Sequence, residues 1–273
     1  MKLKELPGSL WHSLRLRLAR PATPAREPAP VTVTLTSIRS RLHALDIVVK
    51  SLLAQDTPPE RIIVWLAEGL SGSVPKRVRR LEGDRFRIRF TPLTSSHKKL
   101  VTAVEEDPGR VYVTCDDDMI YPPEWLGRLW AQHLRHPDDI VANDVRAVRY
   151  DASGAPRPYE EWRLDPDESR DTAPEFMGVG YAGVLYPPGC FHADVADADL
   201  FLELAPRADD LWFKAMSHLA GTSVRRNPNP GAAPIPIPLT QGVALKTSNV
   251  GEDRNRTQWA ELVKAYDLRF DPD

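Results

Sequence analysis

Short apolar runs alternate, between residues 31 and 134, with stretches whose apolar residues recur every three or four positions, and this alternation leaves few folds open. VTVTLTSI (31–38), RIIVWLA (61–67), FRIRF (86–90) and RVYVTC (110–115) have the length and β-branched content of strands. Between them, Leu42, Leu45, Val49, Leu52 and Leu53 share one helix face, which Ser40 can cap. HKKLVTAVEE (97–106) and PPEWLGRLWAQHL (122–134) read as further helices. The order predicts an α/β domain, a mostly parallel twisted sheet flanked by helices. Ligands of such sheets gather beyond the carboxyl ends of the strands.

The second half is less regular. IVAND and VRAVRY suggest strands, GVGYAGVLYPPG is glycine-rich, and DDLWFKAMSHL (209–219) reads as a helix. RRNPNPGAAPIPIPL (225–239) reads as extended chain, and a polar tail leads to a last short helix. The expected division is a basic amphipathic segment with a proline-rich linker at 1–30, one catalytic unit at 31–245, and a C-terminal tail and helix at 246–273.

Lys and Arg number 36 against 38 Asp and Glu, a net charge of −2, so no global field points to nucleic acid as a partner. Two cysteines, Cys115 and Cys190, are too few for a disulfide framework or a cysteine-built zinc site. With no signal peptide or membrane span in the sequence, a cytoplasmic protein is expected. The first segment nevertheless carries Leu3, Leu6, Leu10, Leu14 and Leu18 at helical spacing among Lys2, Lys4, Arg15, Arg17 and Arg20. Residues 2–20 thus suit either peripheral contact with a membrane or a helix docked on the protein's own core.

Three consecutive carboxylates, Asp116, Asp117 and Asp118, follow the strand RVYVTC and precede a proline-started helix. Such a cluster needs solvent, cationic side chains or a metal to offset its self-repulsion. Mg2+ or Mn2+ fits, because these ions share their coordination between one or two carboxylates and substrate phosphates. Asp116 and Asp118 are the expected metal pair: if the triplet is extended they point the same way, so that one ligates the ion directly and the other meets the ribose or a metal-bound water. Asp116 and Asp117 are expected at the nucleotide. A second acidic pair, Asp209 and Asp210, opens the helix at 209–219. One of the two can serve as a helix cap; the other, Asp210, is the expected general base. His97, Lys98 and Lys99 can hold a diphosphate or form a solvated surface patch. Gly178, Gly180 and Gly183 allow close backbone approach or mark bends, and among Trp162, Tyr181 and Trp212 the last is the preferred aromatic platform.

LTSIRSRL (35–42), VWLAEGL (64–70), SSHKKLV (95–101), VTCDDDMIYPPEWL (113–126), GVGYAGVLYPPG (178–189) and ADDLWF (208–213) together resemble the family 2-like GT-A glycosyltransferases over roughly residues 31–220. The resemblance implies a nucleotide-sugar donor, a UDP-sugar first, and a divalent metal on Asp116 and Asp118. It further implies inverting transfer with Asp210 as base, and Thr36, Ser37, Arg41 and Glu68 near the nucleotide. A glycan or lipid-linked acceptor, in synthesis of bacterial surface polysaccharide, completes the expectation. Many members close the metal site with a late histidine, whereas none follows His218 here; Asn249, Asp253 or water would have to replace it. A nucleotidyltransferase is disfavoured, because no glycine-rich phosphate loop follows Ile38. A non-catalytic nucleotide-sugar or glycan-binding module would have no need of a second acidic cluster.

Overall fold

The computed structural model describes residues 6–18, 27–165, 167–238, 240, 253–268 and 270. Its centre is a seven-stranded sheet. In chain order the strands are β1 (Ala29–Thr36), β2 (Pro59–Ala67), β3 (Phe86–Thr91), β4 (Val111–Thr114), β6 (Ile140–Ala142), β9 (Val184–Tyr186) and β10 (Val224–Arg226). They lie in the order β10-β6-β9-β4-β1-β2-β3. Only β9 runs against its neighbours. Two small ribbons attach to this sheet. One pairs β5 (Met119–Ile120) with β11 (Ile235–Pro236), and the other pairs β7 (Val145–Ala147) with β8 (Phe176–Gly178).

Strand periodicity builds both faces. Ile62, Val64 and Leu66 join one apolar cluster while Ile63 and Trp65 join the other. The first cluster packs under α2 (Leu45–Leu53) and α5 (Trp125–His133). The second lies against α4 (Val101–Glu106), α6 (Ala198–Leu204), α7 (Asp209–Leu219) and α8 (Arg254–Tyr266). The C-terminal helix α8 is thus part of the core: Trp259 and Leu262 are wholly buried, and the Trp259 indole N–H donates to the Tyr150 hydroxyl at 2.9 Å. At the other end, α1 (Leu6–Leu18) packs on α2, where Lys50 Nζ donates to the Leu16 carbonyl at 2.9 Å, and Ser9 Oγ donates to the Pro236 carbonyl at 2.5 Å. The short α3 is Lys76–Arg79.

The structure corrects three local expectations. Ser40 does not cap α2, which starts at Leu45 after turns at Arg41 and Ala44. Residues 97–106 divide into a 3-10 turn, Ser96–Lys99, and α4, because the side chains of 97–99 are drawn inward. Helix α6 and strand β9 lie in stretches whose short apolar patterns the sequence reading did not resolve.

In the order 3-2-1-4, the connections leave β1 in opposite directions, so the crevice between β1 and β4 opens at their carboxyl ends. Thr36 and Ser37 stand at the end of β1 and the aspartate triplet at the end of β4.

Candidate active site

The triplet is not extended. Asp117 and Asp118 form a turn between β4 and β5, so the alternation argument pairing Asp116 with Asp118 does not apply. Arg41 spans the turn instead: its Nη1 donates to Asp117 Oδ1 at 2.8 Å and its Nη2 lies 3.2 Å from Asp118 Oδ2. Ser37 Oγ donates to the other Asp117 oxygen at 2.5 Å, and Arg41 Nε donates to the Thr240 carbonyl at 3.2 Å. The side chains of Asp117 and Asp118 are 6% and 9% exposed, against 36% for Asp116, which alone faces the crevice openly. Asp116 is held by its backbone, whose N–H donates to the Tyr121 hydroxyl at 2.8 Å. The Tyr-Pro-Pro sequel to the triplet therefore returns a phenol to support it.

Lys99 links the triplet to the second acidic cluster. Its ammonium lies 3.3 Å from Asp116 Oδ1 and 2.7 Å from Asp209 Oδ2. Asp209 also accepts from Ser96 Oγ at 2.8 Å. Burial acts to raise the Asp209 pKa, but Lys99, His97 and these hydrogen bonds outweigh it and hold the carboxylate below its usual range. Asp210 goes the other way, because burial and the neighbouring Asp209 charge disfavour its ionised form more than Lys99 and a backbone N–H favour it. That N–H belongs to Gly180 and donates to Asp210 Oδ2 at 3.1 Å. A Cβ at residue 180 would come within 2.8 Å of Asp210 Oδ1 and 3.1 Å of Lys99 Nζ, so glycine is needed for the approach. Neither aspartate caps α7 with its side chain; the N-cap residue is Ala208.

The other expected site residues divide between the protein interior and the crevice. His97 is buried and stacks on Phe201 at 4.4 Å, and Lys98 Nζ donates to the Thr94 and Ser95 carbonyls, each at 3.0 Å. With Lys99 between carboxylates, the proposed diphosphate cradle of Lys98 and Lys99 is replaced by cations already engaged inside the protein. Trp212 is wholly buried and its indole N–H donates to the Val195 carbonyl at 2.9 Å, so it is a core residue and no platform. Trp162 is buried likewise, whereas Tyr181 lines the open cleft. Thr36 Oγ1 donates to the Trp65 carbonyl at 2.8 Å, and Glu68 is exposed where a 3-10 turn leaves β2. Asp253 accepts from the Tyr159 N–H at 3.0 Å and pairs with Arg256 at 2.7 Å; Asn249 lies outside the described residues.

Among the described residues no three His, Cys, Asp or Glu side chains converge as a metal cage. Asp116, with Asp118 behind it, offers the one or two carboxylates that Mg2+ or Mn2+ shares with substrate phosphates. These residues fit an ion shared with a ligand better than a resident one.

Asp144, Arg146 and Arg163 complete the surroundings and were not singled out from the sequence, whereas the close approach at Gly180 was among the readings its glycine allowed. Asn143 and Asp144 follow β6 directly, so their place at a strand's carboxyl end was the available signal.

The glycosyl transferase family 2 model matches residues 35–184. No curated protein matches the chain. Among solved structures, a mannosyltransferase from Pyrobaculum calidifontis in complex with GDP-Man and Mn2+ is 15% identical with a TM-score of 0.55, the match covering 98% of this chain and 74% of that one. TarS from S. aureus in complex with UDP is 15% identical with a TM-score of 0.46, covering 76% of this chain and 60% of that one. With the family model spanning more than half of the chain, on a GT-A sheet whose switch point carries the aspartate triplet, the protein belongs to glycosyl transferase family 2 and is a glycosyltransferase.

Proposed function

We propose that the chain transfers a sugar, with inversion, from a nucleotide-sugar to an acceptor hydroxyl, Asp210 acting as base. The observation that carries this reading is the division of labour around Lys99. One ammonium ties Asp116 to Asp209 and leaves Asp210, its affinity for a proton raised, beside the glycine-rich turn at 178–183. The acceptor oxygen would attack the anomeric carbon while its proton passes to the Asp210 carboxylate, and the bond to the diphosphate breaks with its electron pair leaving on the diphosphate. Asp116, with Asp118 behind it, would hold a Mg2+ or Mn2+ ion, whose positive charge would favour departure of the diphosphate. Thr36, Ser37, Arg41 and Asp117 form the floor on which the nucleotide would lie, with Glu68 at its edge.

The test is a thermal-shift screen of the chain against UDP-sugars and GDP-mannose, with and without Mn2+ or Mg2+. A metal-dependent rise in Tm with one donor is expected. A rise with nucleoside triphosphates alone would sink the reading.

The acceptor is a glycan or a lipid-linked sugar, met at the cytoplasmic face of a membrane during synthesis of surface polysaccharide. Support comes from α1, four of whose apolar residues face outward: Leu10, Trp11, Leu14 and Leu18 are 52%, 58%, 59% and 77% exposed, with Arg15 over the Trp11 ring. Indole beside leucine and arginine suits the headgroup boundary. Lys2, Lys4, Leu3 and Arg20 lie outside the described residues. Cosedimentation with anionic liposomes should be lost in Leu10→Glu with Leu14→Glu; unchanged cosedimentation would remove the membrane from the proposal.

A further inference from the structure

A cleft of about 430 Å³ is lined by Asp144, Arg146, Arg163, Leu164, Val179 and Tyr181 among others. Val179 and Tyr181 flank Gly180, the residue that donates to Asp210. The Tyr181 carbonyl lies 3.1 Å from the Tyr121 hydroxyl, which accepts from Asp116 N–H. The wall of the cleft is therefore within one or two hydrogen bonds of both acidic clusters, and its volume is that of a small-molecule site.

The charge of this cleft opposes that of the chain. Asp144 is its one lining carboxylate and accepts from the Tyr181 hydroxyl at 3.0 Å, whereas two guanidiniums line the same space. Arg146 is fixed, its Nη1 donating to the Tyr159 carbonyl at 2.9 Å with the guanidinium 4.3 Å from the Tyr159 ring centroid. Arg163 is exposed, and no carboxylate of the described residues is within ion-pair distance of it. A protein of net charge −2 has thus gathered a local positive surplus in a concave site whose wall flanks the Gly180 that holds Asp210.

We propose that this cleft is the acceptor subsite and that it selects an acceptor bearing an anionic group, which Arg163 and Arg146 bind. The guanidinium fork suits both carboxylate and phosphate, so the group is a uronic acid carboxylate or a sugar phosphate. Asp144 with Tyr181 would take a neighbouring hydroxyl. The term acceptor rests on the glycosyl-transfer reading; the anion preference does not.

The experiment titrates the full chain with methyl glucuronide, glucose 1-phosphate and methyl glucoside at one ionic strength, by ligand-observed NMR, and repeats the titrations with Arg163→Gln and Arg163→Lys. An anionic probe should bind about tenfold tighter than methyl glucoside. Arg163→Gln should remove the difference and Arg163→Lys keep part of it. Tighter binding of the glucuronide assigns the carboxylate, and of glucose 1-phosphate the phosphate. Equal binding of all three probes, or a preference that survives Arg163→Gln, overturns the proposal. UDP and GDP binding, measured on the same samples with Mn2+, separates the two readings. Nucleotide binding without anion preference ends the cleft proposal alone, whereas anion preference without nucleotide binding keeps the anion site and ends the proposed transfer from a UDP- or GDP-sugar.

Discussion

The two acidic clusters solve the same electrostatic problem differently. In the triplet, an arginine fork reaches two adjacent carboxylates in a turn and leaves the third open to the crevice. In the pair, a buried ammonium contacts one carboxylate at 2.7 Å, and the second accepts from a backbone N–H. A fork can span Asp117 and Asp118 because guanidinium donors are spread in a plane, whereas a point-like ammonium concentrates on its nearest partner. The triplet therefore keeps a guanidinium across two carboxylates and leaves the third open to a cation-bound ligand, while the pair divides into an Asp209 held ionised and an Asp210 that holds its proton more readily.

Removing the shared cation should break both halves at once. Lys99→Met leaves Asp209 buried without its ion pair, and a loss of about 3–5 kcal/mol is expected by denaturant unfolding. Adding Asp209→Asn should recover part of it. Stability within about 0.5 kcal/mol of the parent would show that Lys99 does not hold the clusters together.

Asp210→Asn separates the pair from the triplet. Turnover should fall about 100- to 10,000-fold with nucleotide affinity unchanged. Because folding raises the Asp210 pKa from 3.8 to about 7, the fold favours the protonated form. That contribution is complete below the unfolded pKa and is lost as pH rises through about 7. The parent should thus lose stability relative to Asp210→Asn between roughly pH 4 and pH 7, and its kcat/KM should fall as pH drops below about 7. A kcat/KM that does not change across this range would exclude Asp210 as base and direct attention to Asp209.

Asp118→Ala sharpens the other side with the smallest structural effect, since Arg41 keeps Asp117. Metal-dependent donor affinity should weaken at least tenfold, about 1.4 kcal/mol, by titration calorimetry. Equal affinity in parent and variant would leave Asp116 to act alone.

Much of the fold was legible. The strands around 31–38, 61–67, 86–90 and 110–115 and the helix Asp209–Leu219 follow from period and composition, because a buried parallel strand and an amphipathic helix each leave a local imprint. Short elements such as β9, between glycines and prolines, leave none. The site was legible in type more than in orientation. Asp116 and Asp210 were named from their place at a strand end and a helix start. Trp212 was misread because a tryptophan beside an acidic pair looks the same in sequence whether it faces the cleft or the core.

By itself, the sequence determined the order of strands and helices, the two acidic clusters and their position in that order, since these depend on interactions over a few residues. Tertiary structure alone decided which charges meet. Arg41 and Asp117 are 76 residues apart and Ser96 and Asp209 are 113 apart. Whether Lys99 binds a ligand or its own protein depends on how α4 and α7 pack across one face of the sheet. A buried ion's partner is chosen by burial and distance together, and neither quantity exists until the chain is folded.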